Sequence, residues 1–307
     1  MRRTGARHCA LETRRGQLAW RAVTGRSLTD VLADLDGVVA DAAATGTALG
    51  YFPAMYRSVT ASVDRAVMEG GFFDDDVLVE RLAVTFADLY LDAYQAYRVG
   101  GEVPESWRVA FDAAADRRRR MILQHLLLGM NAHINLDLGV ASVRVAGPRL
   151  PVLYGDFVRV NEILFRMLDD LQAALGVVSP RLRNIDRLGV GVDEWLMRMS
   201  IRTARDLAWR FADDLHCGDC DVADRDGEAA MVARLIAARW TPMHLFGRFV
   251  AAREPRDPAA VIEVLRSVRI EPADVAARAE AEIERDPDPA VSLTEAVRPR
   301  RLRRARR

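Results

Sequence analysis

Residues 124–138 read QHLLLGMNAHINLDL, apolar on almost every side of a helix yet carrying six polar side chains that cannot be buried alone. At about 100° per residue, His125, Gly129, His133 and Asp137 share one stripe roughly 120° wide. Gln124, Asn131 and Asn135 fall on a second stripe. Leu127, Leu128, Met130, Ile134 and Leu138 fill most of the rest. A helix apolar all round belongs among other helices. Polar groups in such a place cost several kcal/mol each unless paired. The stretch therefore predicts a central helix, at about 118–142, that holds either a closed hydrogen-bond network or a site.

Outward from it the periodicity is helical. Apolar positions at three-to-four spacing predict helices over 28–43 (capped by Ser27 or Thr29), Tyr51 to Met68, and Asp74 to Val99. Pro104, Trp107 and Phe111 lead into the central helix. Beyond the Gly147-Pro148 loop, Asp156 reads as the cap of a helix to Leu175. Further helices fit 193–216, 228–252, 258–268 and 272–284. No alternating strand pattern exceeds Ala141–Val145. The expectation is all-α: a single globular bundle of about eight helices over 28–285, with disordered arginine-rich ends at 1–27 and 286–307.

Composition removes several chemistries. All 44 basic residues are arginine, so Schiff-base, pyridoxal-phosphate and P-loop lysine chemistry are excluded. No GxSxG, HExxH or GxGxxG occurs. The zero net charge divides into +6 over 1–27, +7 over 298–307 and −13 between. Such ends are more often solvated tails than nucleic-acid contacts, and no nucleic-acid role is expected. No run of eighteen apolar residues, no secretory signal and only three cysteines point to a cytoplasmic protein without a transmembrane segment.

His133 and Asp137, four apart, present imidazole and carboxylate from one helical face, a pattern that can grip zinc, manganese or iron. His125 stands about 12 Å further along the axis, suited to a second ion or to acid–base work. Gly129 between them marks a close approach by a ligand or another helix. The other reading of the same residues is a closed network in which Asp137 orients His133 and the amides tie neighbouring helices together. Asn161 falls on the apolar face of the following helix, where Asn131 or Asn135 can meet it. Trp195, Arg202, Trp209 and His216 recur every seven residues, with Arg205 close by. Arg202 or Arg205 can hold an anionic substrate group or pair with Asp137 or Asp156. Cys217-Gly-Asp-Cys220 lacks the further ligands of a zinc site, and Asp75-Asp76-x-x-x-Glu80 reads as helix-capping acids.

HLLLGMNAHINLDLGVA (125–141), with YFPAMYRSVT (51–60), RLAVTFADLYLDAY (81–94), GDFVRVNEIL (155–164) and RTARDLAW (202–209), resembles an uncharacterised, mostly bacterial family known as domain of unknown function 5995. The resemblance spans roughly 51–215. It implies an all-helical fold and a shared site around His125, Asn131, His133, Asn135, Asp137, Asp156, Asn161, Arg202, Arg205 and Trp209, and it brings no activity. A looser similarity links HxxxGxNxHxxxD to the HxxGDxHxP pattern of helical zinc phospholipase C and S1/P1-type nucleases, without their proline and with Asn131 near their aspartate. Besides an interaction protein working through its arginine-rich ends, two functions follow as expectations. One is a metal-dependent hydrolase for a small, anionic substrate, with His133 and Asp137 on the ion and His125, Arg202 and Arg205 in catalysis. The other is a metal-free ligand-binding or structural protein with Gln124, Gly129, Asn131, Asn135, Asp156, Asn161 and Trp209 in its supporting network.

Overall fold

The computed structural model describes residues 25–116, 120–181, 192–238 and 242–267, with side chains except at 164–170, 192–202 and 242–245. Residues 1–24 of the expected N-terminal tail, the C-terminal tail and the 272–284 helix lie outside the described residues, whereas Arg26 pairs with Asp34 and Asp88. What is described is helical throughout, and no strand occurs among these residues.

Helix α1 (Leu28–Thr45) opens with a reciprocal cap. Ser27 accepts from the Asp30 amide while the Asp30 carboxylate accepts from the Ser27 amide, and Gly46 at φ 65° closes the far end. Its buried Leu28, Val31, Leu35, Val39 and Ala42 follow the helical repeat and face α2 (Tyr51–Glu69). Helix α3 (Asp76–Arg98) is capped by Asp75, which accepts from the Leu78 amide. A short α4 (Glu105–Ala115) leads to the central element.

That element is helical from Ile122 to Ala146, but it is not one regular α-helix. Helix α5 (Ile122–Ala132) passes into a π-turn at His133–Asp137 and resumes as α6 (Leu138–Ala146). The Ala141–Val145 alternation is thus helical. Helices α2, α3, α4, α7 (Leu150–Val178), α8 (Val192–Cys217) and α9 (Val222–Ala237) all pack on it. Helices α10 (Pro242–Ala251) and α11 (Pro258–Arg266) finish the bundle, α11 against α1, α2 and α7. The stretch Ile122–Ile163 has the length and mean hydropathy (1.2) of a membrane span, but 78% of that apolar window is buried inside the fold, the behaviour of a core helix.

Glycines set the closest approaches. A methyl group on Gly129 would lie 2.5 Å from the Phe52 ring, and one on Gly139 would lie 2.4 Å from Phe211. Gly129 is therefore explained by a neighbouring helix, α2, which the bare backbone lets in.

Two expectations about α7 need correction. Asp156 does not cap it: the chain turns through Gly147–Arg149 and, with Pro151 in the first turn, α7 starts at Leu150. Six residues into the helix, Asp156 instead holds the approach to α3, accepting from the Asp74 amide at 2.7 Å and from the amide of its cap Asp75 at 3.0 Å, with Arg159 at 2.9 Å. Two more buried or half-buried acids work this way. Asp226 of α9 accepts from the Glu105 and Ser106 amides at the start of α4. Glu254 accepts from the Ile122 amide at the start of α5. Each acid satisfies orphan amides and sits at the positive end of a helix dipole, while tying two distant segments together. Asp156→Ala is expected to lower stability by about 2 kcal/mol, read from the urea midpoint at unchanged slope. Asp30→Ala, at an exposed local cap, is expected to move the midpoint much less.

Candidate functional site

The π-turn points His133 and Asp137 into an aromatic cage. His133 Nδ1 lies 3.0 Å from Asp137 Oδ2, as their spacing predicts. The same Oδ2 accepts from Trp107 Nε1 at 2.9 Å. The imidazole stacks on Phe86 with ring centres 3.5 Å apart, and Tyr56 meets it edge-to-face at 4.4 Å. Phe52 closes another side at 5.5 Å. His133, Asp137 and Trp107 are at most 3% exposed, and His133 Nε2 has no hydrogen-bond partner.

Such burial disfavours both charged forms. It pushes the Asp137 carboxyl well above the usual range, against the opposing pull of the Trp107 N–H and of Arg144. It holds His133 well below the ordinary imidazole value. Both shifts favour the neutral pair, in which Asp137 Oδ2 shares its proton with Nδ1 and accepts from Trp107. His133 Nε2 is left among π faces, where an N–H finds weak acceptors.

The second stripe does what the network reading expected of it. Asn131 Nδ2 donates to the Ala229 carbonyl in α9 at 2.9 Å, and Asn135 Nδ2 donates to Asn131 Oδ1 at 3.0 Å. Gln124 accepts from the Met121 amide and donates to the Ile236 carbonyl. Arg225 of α9 donates to the Asn135 carbonyl at 2.8 Å, engaging a backbone group of the π-turn. A π-turn closes hydrogen bonds one residue further along than an α-helix, so it persists only where neighbours support it.

Other expected members lie elsewhere. Asn161 does not reach Asn131 or Asn135; it donates to the Phe157 carbonyl one turn back in its own helix. Arg205 pairs with its neighbour Asp206 at 2.9 Å, while Asp137 and Asp156 are engaged by Trp107 and Arg159. Trp209 packs between Tyr154 and Phe157, 4.9 Å from each. The side chains of Arg202 and Trp195 lie outside the described residues. Cys217 is exposed and Cys220 half-buried.

His125 does not share a centre with His133. It meets Tyr51 edge-to-face and lines a small cleft whose walls include Phe52, Trp107, Phe111 and Gly129. Its Nδ1 is buried with no partner. Burial depresses its pKa to about 4, helped by Arg120 and opposed by Asp116.

This gives a pH signature. The unfolded imidazole binds its proton below about 6.5, the folded one only below about 4. Between those values the unfolded state holds more protons, so stability falls as pH falls. In its neutral form the His133–Asp137 pair adds little slope there, since it then holds one proton folded and, as imidazolium plus carboxylate, about one unfolded. Unfolding free energy is expected to drop by up to about 3 kcal/mol from pH 6.5 to 4. His125→Leu is expected to flatten that segment in urea titrations across the range.

Sequence reading missed the cage, although Phe52 and Tyr56, and Phe86, Tyr90 and Tyr94, carry its signal as aromatic residues four apart. Arg225, Asp226 and Glu254 had no such signal. Residues 28–239 match the model of a family described as "Family of unknown function (DUF5995)". No curated protein and no solved structure matches the chain. The similarity to zinc phospholipase C and S1/P1-type nucleases finds no support in these comparisons.

Proposed function

The chain belongs to the family of unknown function DUF5995, and from its geometry we propose a metal-free helical protein that binds a small molecule, with the central polar cluster as its framework. One observation carries the reading. Asp137 Oδ2, the oxygen that would face an ion beside His133, already takes both Trp107 Nε1 and His133 Nδ1. The residues present do not fit a divalent cation. Zinc sites use three or four protein ligands, and no set of three His, Cys, Asp or Glu residues gathers among the described residues. His133 Nε2 has no hydrogen-bond partner, and its ring lies among Tyr56, Phe86 and Phe52. A hydrolase built on His133 and Asp137, with Arg202 or Arg205 holding the anion, is the second reading, and these contacts weigh against it.

Elemental analysis of the untagged protein tests the choice. Less than a tenth of an equivalent of zinc, manganese or iron is expected, with no rise in melting temperature when these metals are added. About one equivalent, lost in His133→Ala, would overturn the proposal and restore the metal-dependent reading.

A further inference from the structure

We infer that the outer face of α9 is a docking surface for a second copy of this chain, the two α9 helices lying antiparallel about a two-fold axis. The inner face of α9 is accounted for: Ala229, Ala230 and Ala233 are buried, and α4 and α5 pack on the helix. The outer face is not. Met231 is 61% exposed, Val232 44% and Leu235 71%, three large apolar side chains on one short stretch of helix. Gly227, one turn before Met231, is exposed as well, and a methyl group there would meet nothing within 4 Å. It lies inside the helix and its φ is not positive. Nothing within the chain therefore calls for a glycine that weakens the helix relative to alanine.

This face is complementary to itself when one copy is reversed. Residues four apart lie one above the other on a helix, so Ala223, Gly227, Met231 and Leu235 form a ridge that is small at one end and large at the other. A two-fold axis at the level of Ala229 sets Gly227 opposite the partner's Met231 and Ala223 opposite the partner's Leu235. The same axis sets Asp224 opposite the partner's Arg234. Each large side chain then meets a small one and each acid meets a base, twice over by symmetry. Met231 enters the notch that Gly227 leaves, as knobs enter holes between packed helices. Parallel alignment would set Met231 on Met231 and Asp224 on Asp224, bulk on bulk and like charge on like charge.

The charges already engaged leave this pairing open. Arg234 reaches Glu105 at 2.7 Å in an exposed pair, and its guanidinium has donors to spare for a second carboxylate. Glu228 pairs with Arg225 at 2.8 Å and stays at the rim. The docking helix is also the one that braces the centre of the fold, through Arg225 on the π-turn and the Ala229 carbonyl on Asn131. One helix pair buries less than the roughly 1,600 Å² of a standard interface, so the dimer is a weak one, with Kd on the order of 10–100 µM.

Sedimentation velocity of the full chain, over a concentration series spanning that range, is the test. The mass is expected to rise from 34.2 kDa towards twice that value as concentration increases. Met231→Glu is expected to stay monomeric throughout with its urea midpoint unchanged, because the side chain it replaces is exposed. Asp224→Arg and Arg234→Asp are each expected to weaken the dimer about tenfold, and the double variant to recover the wild-type constant. That recovery distinguishes a defined register from a merely adhesive surface. A monomer at every concentration, a dimer untouched by Met231→Glu, or no recovery in the double variant would each overturn the inference. Assembly that continues past two copies would overturn it as well.

Discussion

Asp137→Ala is expected to cost about 4 kcal/mol of folding stability, the largest loss of any single truncation in the π-turn. One oxygen serves two buried groups, Trp107 Nε1 at 2.9 Å and His133 Nδ1 at 3.0 Å. Removing it orphans both in a place water does not reach, at about 1–3 kcal/mol each. Relief from burying a carboxyl offsets little, because the group is already held neutral. Asp137→Asn keeps an acceptor for Trp107 but cannot give His133 the same proton, and about half the loss is expected. Urea unfolding at pH 7 measures both. A cost below about 1 kcal/mol for Asp137→Ala would mean that the pair is strained and poised for another task.

Gly129→Ala is expected to destabilise by about 2 kcal/mol, the reverse of what local propensity dictates. In an unobstructed helix the change gains up to about 1 kcal/mol. At Gly129 the new methyl would sit 2.5 Å from Phe52. Phe52 cannot swing aside, because Tyr56, Tyr90, Trp107 and His133 surround its ring at 5.3–5.6 Å. Overpacking of this kind costs about 1–3 kcal/mol, and the steric term wins. Gly37 in α1 is the internal control, exposed and with nothing within 4 Å of an added methyl. Gly37→Ala should stabilise by about 0.5–1 kcal/mol. The same substitution with opposite signs at the two positions, read from melting curves, isolates the packing against Phe52.

The sequence was most readable where local rules suffice. The α1 and α3 caps, the helix ends at Gly46 and Gly70, and the meeting of His133 with Asp137 all follow from spacing over three or four residues. Asn131 and Gln124 tie α5 to α9, with Asn135 donating to Asn131 from one turn on. What escaped was long-range. Asp156, Asp226 and Glu254 hold helix starts through amides 82, 121 and 132 residues away in the chain, and no local pattern distinguishes such an acid from a surface one. The π-turn escaped as well, because it is held in part by the Arg225 contact from α9 rather than by its own residues. Arg205 was misplaced for the opposite reason: a neighbour one residue away, Asp206, serves it.

The centre of the fold is His133, a neutral imidazole closed into an internal network. Nitrogen-15 NMR of the imidazole, followed from pH 5.5 to 8 with and without an equivalent of zinc, tests that most directly. A single neutral form across the range, unmoved by zinc and lost only on unfolding, is the predicted result. Protonation near pH 6.5, or a metal-bound nitrogen shift on adding zinc, would contradict it.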